Sequence, residues 1–163
     1  ATIGALANGG VMVQPHLVDA VRLNSGIVRK LNWSQTTPVF SAAAVRETAV
    51  MMTAVVDEKL SEGKAKIPTM SVAVKTGTAQ LTDGQGGYYS DRYFHSFVGF
   101  FPSYAPRFII LLYTNDPRGV TYAAETLSPT FLDLTHFLID YYAVPPDRGV
   151  AADLNTSPHV TTP

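Results

Sequence analysis

The residues best placed to do chemistry in this sequence are Lys75-Thr76-Gly77-Thr78, a cation and two hydroxyls that directly follow the apolar run Ser71-Val72-Ala73-Val74. Polar and charged side chains on a strand of that character carry a desolvation cost and so require a reason. Alternation along a strand sends Lys75 and Gly77 to one face and Thr76 and Thr78 to the other, so the two hydroxyls line one surface. Gly77 has no Cβ, which lets another molecule or side chain approach the backbone closely. Free backbone groups, hydroxyl donors and a nearby cation are what an extended peptide carboxylate needs in order to add to a sheet edge. The competing explanation is an edge strand protected from aggregation by its lysine.

Other chemistries find no support. His16, His95, His136 and His159 lie far apart and form no HExxH pair, so each is expected to be structural or on the surface, and no metal is expected. Neither GxGxxG nor GxxxxGK[ST] occurs, and Asp83-Gly84-Gln85-Gly86-Gly87 opens no helix, so it is expected to be a flexible loop rather than a phosphate cradle. GxSxG is absent, which removes the α/β-hydrolase elbow, and no cofactor is expected. The chain has no cysteine, which excludes disulfides, thiolate metal sites and a cysteine nucleophile but says nothing of compartment. Twelve Lys plus Arg stand against 13 Asp plus Glu, a net charge of -1 with no basic stripe, so nucleic acid is not expected as a partner.

The elements that must position the tetrapeptide can be read from apolar spacing and punctuation. With 163 residues, 46% of them hydrophobic, the chain suits one domain or a large piece of one. Ala1 to Ala7 reads as the end of a small-residue helix, broken by Asn8-Gly9-Gly10. Val11, Val13 and the run to Leu23 are β-rich but contain Pro15, which places them at an edge or in an arm, and Asn24-Ser25-Gly26 turns the chain into a hairpin with Ile27 to Leu31. Ser41 caps an amphipathic helix marked by Val45, Ala49, Met52, Val55 or Val56, and Leu60, which Gly63 stops. Ser71 to Gln80, Phe94 to Phe101 and Arg107 to Thr114 are three strands whose short connections favour an antiparallel meander. Ser128-Pro129 supplies an N-cap and first-turn proline for a last helix with Phe131, Leu134, Leu138 and Tyr141 on its apolar face, ended by Val144-Pro145-Pro146. The expected architecture is α+β, an antiparallel β-sheet flanked by helices over 1–148, with a polar, mobile tail over 149–163.

Lys75-Thr76-Gly77 is also the KTG signature of penicillin-binding proteins and β-lactamases. Around it the chain resembles the C-terminal half of a class B penicillin-binding protein transpeptidase domain. The resemblance rests on Leu6-Ala7-Asn8-Gly9-Gly10-Val11-Met12 with Pro15-His16-Leu17-Val18, on Ala73 to Gln80, and on Ser96-Phe97-Val98-Gly99-Phe100 with Pro102. It continues through Arg107 to Tyr113, Asp116-Pro117, Pro129-Thr130-Phe131 and Pro145-Pro146-Asp147, in family order from Ala1 to about Arg148.

The resemblance implies an incomplete β-lactamase/transpeptidase-like fold in which Ser71 to Gln80 borders the active-site cleft. It implies an enzyme in which a serine attacks an acyl-D-Ala-D-Ala stem peptide or a β-lactam. Lys75 would supply positive charge and a proton-relay contact, and Thr76 and Thr78 would bind the terminal carboxylate. The Thr78 amide would form half the oxyanion hole, and Gly77 would keep the wall flat. The family also needs SxxK and SxN ahead of KTG. Ser61-Glu62-Gly63-Lys64 matches SxxK literally but ends a helix, and Tyr113-Thr114-Asn115 imitates the YxN variant but follows KTG. Val74 stands where the family often has glycine, and Val120 to Glu125 replaces a glycine pair. The expectation is therefore that the nucleophile lies on a complementary N-terminal half, and that this chain alone is inactive. Without that half, Ile109 to Tyr113 would be an unpaired apolar edge. The family's N-terminal anchor would place the protein at the extracytoplasmic face of the bacterial membrane. The alternative is a non-catalytic peptide-binding sensor or scaffold of the same fold, or a structural partner using its sheet edge for assembly.

Overall fold

A computed structural model describes residues 1–12, 14–33 and 38–149. Helix α1 (Thr2–Ala7) leads to a small hairpin, β1 (Ala20–Arg22) paired antiparallel with β2 (Val28–Lys30). Helix α2 (Ala42–Ala54) follows, then three long strands, β3 (Ala73–Thr82), β4 (Tyr88–Phe101) and β5 (Phe108–Asn115), and finally helix α3 (Ala123–Tyr141). The sheet order is β3-β4-β5, all antiparallel, with Lys75 opposite Val98, Gly77 opposite Ser96 and Thr78 opposite His95. This is the α+β meander expected from the sequence.

Two layers of helix hold the sheet. Leu127 and Phe131 of α3 pack with Val74, Phe97 and Phe101, the Phe131 and Phe97 rings lying 4.7 Å apart between centroids. Ala49 and Met52 of α2 meet Ala73 and Phe100 on the opposite face, with Ile3 and Leu6 of α1 alongside. Each buried aromatic or aliphatic side chain of this kind contributes about 1.5–3 kcal/mol relative to exposure. Packing at Gly99 leaves no room for a side chain unless its neighbours shift. A Cβ there would lie 2.5 Å from Phe131 Cζ, 2.7 Å from the Ala73 carbonyl oxygen and 2.9 Å from Val74 Cγ1.

The sequence-based boundaries shift in several places, each for a physical reason. Val11 forms only an isolated bridge to Pro38, and Val13 lies outside the described residues. The Ser41 hydroxyl does cap α2, accepting from the Ala44 N–H at 3.2 Å, but the α-helical stretch ends at Ala54. It continues as a π-helical turn over Val55–Lys59 and a tight turn over Leu60–Gly63, with Ser61 and Glu62 in the left-handed region. Strand β4 begins at Tyr88 rather than Phe94, because the Asp83 carboxylate accepts from the Gln85 and Gly87 N–H groups and folds the glycine-rich loop into a hairpin turn. Helix α3 starts at Ala123, so Ser128 and Pro129 sit inside it, and the expected Ser128 cap is corrected: its hydroxyl donates to the Ala124 carbonyl. The buried face of α3 is Leu127, Phe131 and Thr135, whereas Leu134 and Tyr141 are exposed. Thr135 is tolerated inside because its hydroxyl donates to the Phe131 carbonyl at 2.8 Å. The tail expected over 149–163 lies outside the described residues beyond Gly149.

Beyond α3, Asp147 and Arg148 return to the foot of β3 and close a clasp. Asp147 Oδ1 accepts from the Ser71 N–H at 2.6 Å and Oδ2 from the Ser71 hydroxyl, while both backbone N–H groups of the dipeptide donate to the Thr69 carbonyl. The Arg148 guanidinium makes a two-pronged pair with Asp57, at 2.9 and 2.7 Å. Ser71 in turn accepts from the Ser103 N–H at 2.8 Å, which joins the β4–β5 connection to the same point. Among the described residues β5 is an edge strand. Ile109, Leu111 and Tyr113 form an outward row, 48%, 63% and 69% exposed.

Candidate functional site

Strand β3 changes character along its length. Ala73 and Val74 are fully buried, Lys75 is exposed, Thr76 and Gly77 are half-buried, and Thr78 to Gln80 are exposed. The strand is therefore anchored in the core at one end and presents Lys75-Thr76-Gly77-Thr78 at the surface. Its side away from β4 carries no partner strand among the described residues, and an antiparallel ladder leaves alternate N–H and C=O groups facing such an edge. The Lys75 Nζ donates to the Thr76 carbonyl at 2.5 Å, using one of three ammonium donors.

The face opposite Lys75 is tied to the start of α3. Thr78 Oγ1 accepts from the Ala123 N–H at 3.1 Å. His95, across from Thr78 in register and completely buried, has Nε2 2.9 Å from the Thr121 carbonyl and Nδ1 3.0 Å from Thr126 Oγ1. Gly77 also has a reason internal to the fold. A Cβ there would lie 2.5 Å from Ser96 Oγ, so the absent side chain makes room for the neighbouring strand's hydroxyl.

The segment leading from β5 back to the site is fixed by charge. Asp116 takes a left-handed turn, with its N–H donating to the Tyr93 carbonyl at 2.8 Å. Arg92 donates twice to Asp116 Oδ2, at 3.0 and 2.8 Å, and Arg118 lies 3.3 Å from the same oxygen. The Arg92 hydrogen bond, helped by the two positive charges, holds the Asp116 carboxyl below the ordinary aspartate range. Asp83 is lowered too, chiefly by the Gln85 and Gly87 N–H groups.

The structure brings Lys75, Thr76, Gly77 and Thr78 together on one exposed strand, and it separates the two motif look-alikes from them. Ser61 falls in the left-handed kink and Lys64 just past it, where Lys64 pairs with Glu62 at 3.5 Å, so they do not share the helical face that an SxxK pair requires. Tyr113-Thr114-Asn115 lies on β5, with all of β4 between it and β3, two strand spacings or about 10 Å from the tetrapeptide. Local sequence did not point to His95, Thr121, Ala123 or Thr126. The only trace of them was a histidine at an inward position of an apolar strand. Among the described residues no group of three or more His, Asp or Glu side chains could hold a metal, and no helix is long and apolar enough to cross a membrane.

Sheet, helices and tetrapeptide set the frame, and comparison with known proteins makes the class definite. The family described as penicillin binding protein transpeptidase domain matches residues 1–134, and the chain belongs to that family. It is 30% identical over 156 residues to peptidoglycan D,D-transpeptidase FtsI of Escherichia coli K12, covering 90% of this chain and 26% of that protein. It is 31% identical over 105 residues to the probable peptidoglycan D,D-transpeptidase PbpC of Pseudomonas aeruginosa, covering 63% of this chain and 18% of that one. The crystal structure of penicillin binding protein 3 from Mycobacterium tuberculosis complexed with ampicillin superposes with a TM-score of 0.74 at 27% identity. That match covers 90% of this chain and 34% of that one. The chain thus spans about a quarter or less of the length of the two curated relatives.

Proposed function

We propose that this chain is the KTG-bearing part of a penicillin-binding D,D-transpeptidase that cross-links peptidoglycan stem peptides, with the serine nucleophile supplied by polypeptide outside it. The observation that carries this reading is the edge of β3 that has no partner strand among the described residues, where an ammonium, two hydroxyls and outward-facing backbone groups stand together on a strand anchored in the core. A peptide ending in D-Ala-D-Ala adds along that edge with its carboxylate on the Thr76 and Thr78 hydroxyls. The serine oxygen bonds to the penultimate carbonyl carbon, whose oxygen develops negative charge beside the Thr78 N–H. The peptide C–N bond breaks, and D-Ala leaves with a proton relayed past Lys75. An amino group of a second stem then attacks the ester, forming the cross-link and returning the proton to the serine. A β-lactam follows the first half of this path, its ring C–N bond opening. Gly77 keeps the strand wall close to the substrate backbone. The relatives' names, peptidoglycan D,D-transpeptidases, support a cell-wall substrate. In this reading the enzyme works outside the cytoplasmic membrane, anchored through a segment beyond this chain, and the chain alone is inactive.

The test is intact mass after incubation with a labelled β-lactam, on the chain alone and on the chain assembled with the rest of the transpeptidase domain. One acyl adduct on the complementary polypeptide, with its formation slowed about 100-fold or more by Lys75→Ala, is the expected result. No adduct in the assembled protein, or full-rate acylation of Lys75→Ala, overturns the proposal. An adduct on Ser61 would relocate the nucleophile, and saturable binding of D-Ala-D-Ala peptides without acylation would make the protein a sensor.

A further inference from the structure

We infer that His95 is a positioning residue for this site, acting through Ala123 to hold the Thr78 hydroxyl as a committed hydrogen-bond donor toward an anionic substrate group. The inference rests on the proposed transpeptidase reading for the identity of that group, a carboxylate, and on geometry for the device itself. The Thr121 carbonyl can only accept, so Nε2, 2.9 Å away, carries a proton and donates to it. Nδ1 is hydrogen-bonded to the Thr126 hydroxyl at 3.0 Å, the second point at which the ring is held. The same hydroxyl lies 3.5 Å from the Tyr122 carbonyl.

His95 therefore holds the entry of α3 at two points, Thr121 just before the N-cap residue Tyr122 and Thr126 one turn into the helix. Ala123, fully buried, lies between them. The first N–H groups of a helix have no partner within it, and Tyr122 contributes no side-chain cap. Thr78, 45 residues earlier in the chain, fills that role by accepting the Ala123 N–H. A lone pair of the Thr78 oxygen is thereby occupied by a donor at the positive end of α3, and the hydroxyl proton is left to point elsewhere. A hydroxyl so engaged favours a ligand that only accepts. The rigid register of His95 against Thr78 keeps donor, acceptor and helix end in one arrangement.

The experiment uses the assembled transpeptidase and three variants, His95→Phe, His95→Gln and Thr126→Ala. Phenylalanine keeps the buried ring volume and removes both hydrogen bonds, while glutamine can restore an N–H for Thr121. His95→Phe is expected to slow acylation by a carboxylate-bearing β-lactam about 10- to 100-fold, with little change for the methyl ester of the same compound. It is also expected to speed hydrogen exchange of the Ala123 amide at least about tenfold. Glutamine should recover part of both losses, and Thr126→Ala should show the same pattern more weakly should the phenylalanine variant not fold. Equal slowing of acid and ester, an acid rate within twofold of the parent, or unchanged Ala123 exchange would overturn the inference. If the unaltered protein shows no acylation, the transpeptidase reading fails by itself, and Ala123 exchange in the same variants still decides whether His95 holds this contact.

Discussion

Replacing Gly99 with alanine tests the packing that anchors the site strand. The new methyl carbon would meet Phe131 Cζ at 2.5 Å, the Ala73 carbonyl oxygen at 2.7 Å and Val74 Cγ1 at 2.9 Å, where carbon atoms normally rest about 3.5–4.0 Å apart. The Phe131 ring must retreat by about 1 Å, but it is fully buried against Phe97 in an interior with few voids. The Ala73 carbonyl is backbone of β3, two residues before Lys75, and has no rotamer to change. Overpacking of this kind costs about 1–3 kcal/mol, and these contacts call for the upper part of that range. Alanine also restricts the unfolded chain, which offsets about 0.4–1 kcal/mol, leaving a net loss of about 1–2.5 kcal/mol. Equilibrium urea denaturation of the assembled protein should show a lower midpoint at unchanged slope. Phe131→Leu, which withdraws the far edge of the ring, should lessen the alanine's cost by about 0.5 kcal/mol or more in a double-mutant cycle. Gly77→Ala provides the contrast, because its only close contact is Ser96 Oγ, which a side-chain rotation relieves. Loss at Gly99 below about 0.5 kcal/mol, or strictly additive effects with Phe131→Leu, would refute the packing argument.

Two further outcomes follow from the charges. Arg148→Ala leaves Asp57, whose side chain is only 20% exposed, without its two-pronged partner, and should cost about 1–3 kcal/mol by urea denaturation. Adding Asp57→Ala should cost less than the sum of the single changes, and strict additivity would count against the pair. Asp116 titrates below its ordinary range in the folded protein, so its contribution to stability is present above the ordinary aspartate value of about 4 and is lost as pH falls below it through the lowered folded value. Asp116→Asn should accordingly be less stable than the parent at pH 6 and converge with it as the pH falls below the ordinary aspartate range, and a stability gap independent of pH would contradict that sign.

Much of the scaffold was legible because local chemistry and tertiary structure agree. Proline and glycine punctuate three apolar runs that become β3, β4 and β5, and Ser41 precedes α2 as its cap. Lys75-Thr76-Gly77-Thr78 stood out because polar groups interrupt an apolar strand. The start of α3 was misplaced because its cap is supplied by Thr78 from another element, a partner no local window contains. Ser128-Pro129 imitates a helix start, yet the chain was already helical there, and Pro129 sacrifices one hydrogen bond that packing around Leu127 and Phe131 outweighs. Thr135 broke the apolar period of α3 because its hydroxyl is satisfied by its own helix, while Leu134 and Tyr141 obey that period and stay exposed. His95 was passed over because its role is defined only by what the fold packs against each ring nitrogen.

The clasp between Ser71 and Asp147 has a consequence for how the protein is made. Its partners are 76 residues apart, and the lock on the foot of β3 arrives with almost the last of the described residues. At a synthesis rate of about 5–20 residues per second, roughly 4–15 s pass between the emergence of Ser71 and that of Asp147. For that interval the strand bearing Lys75 is present without this fastening, and a nascent chain halted before Asp147 would hold the foot of β3 only through its pairing with β4 and its packing against α2.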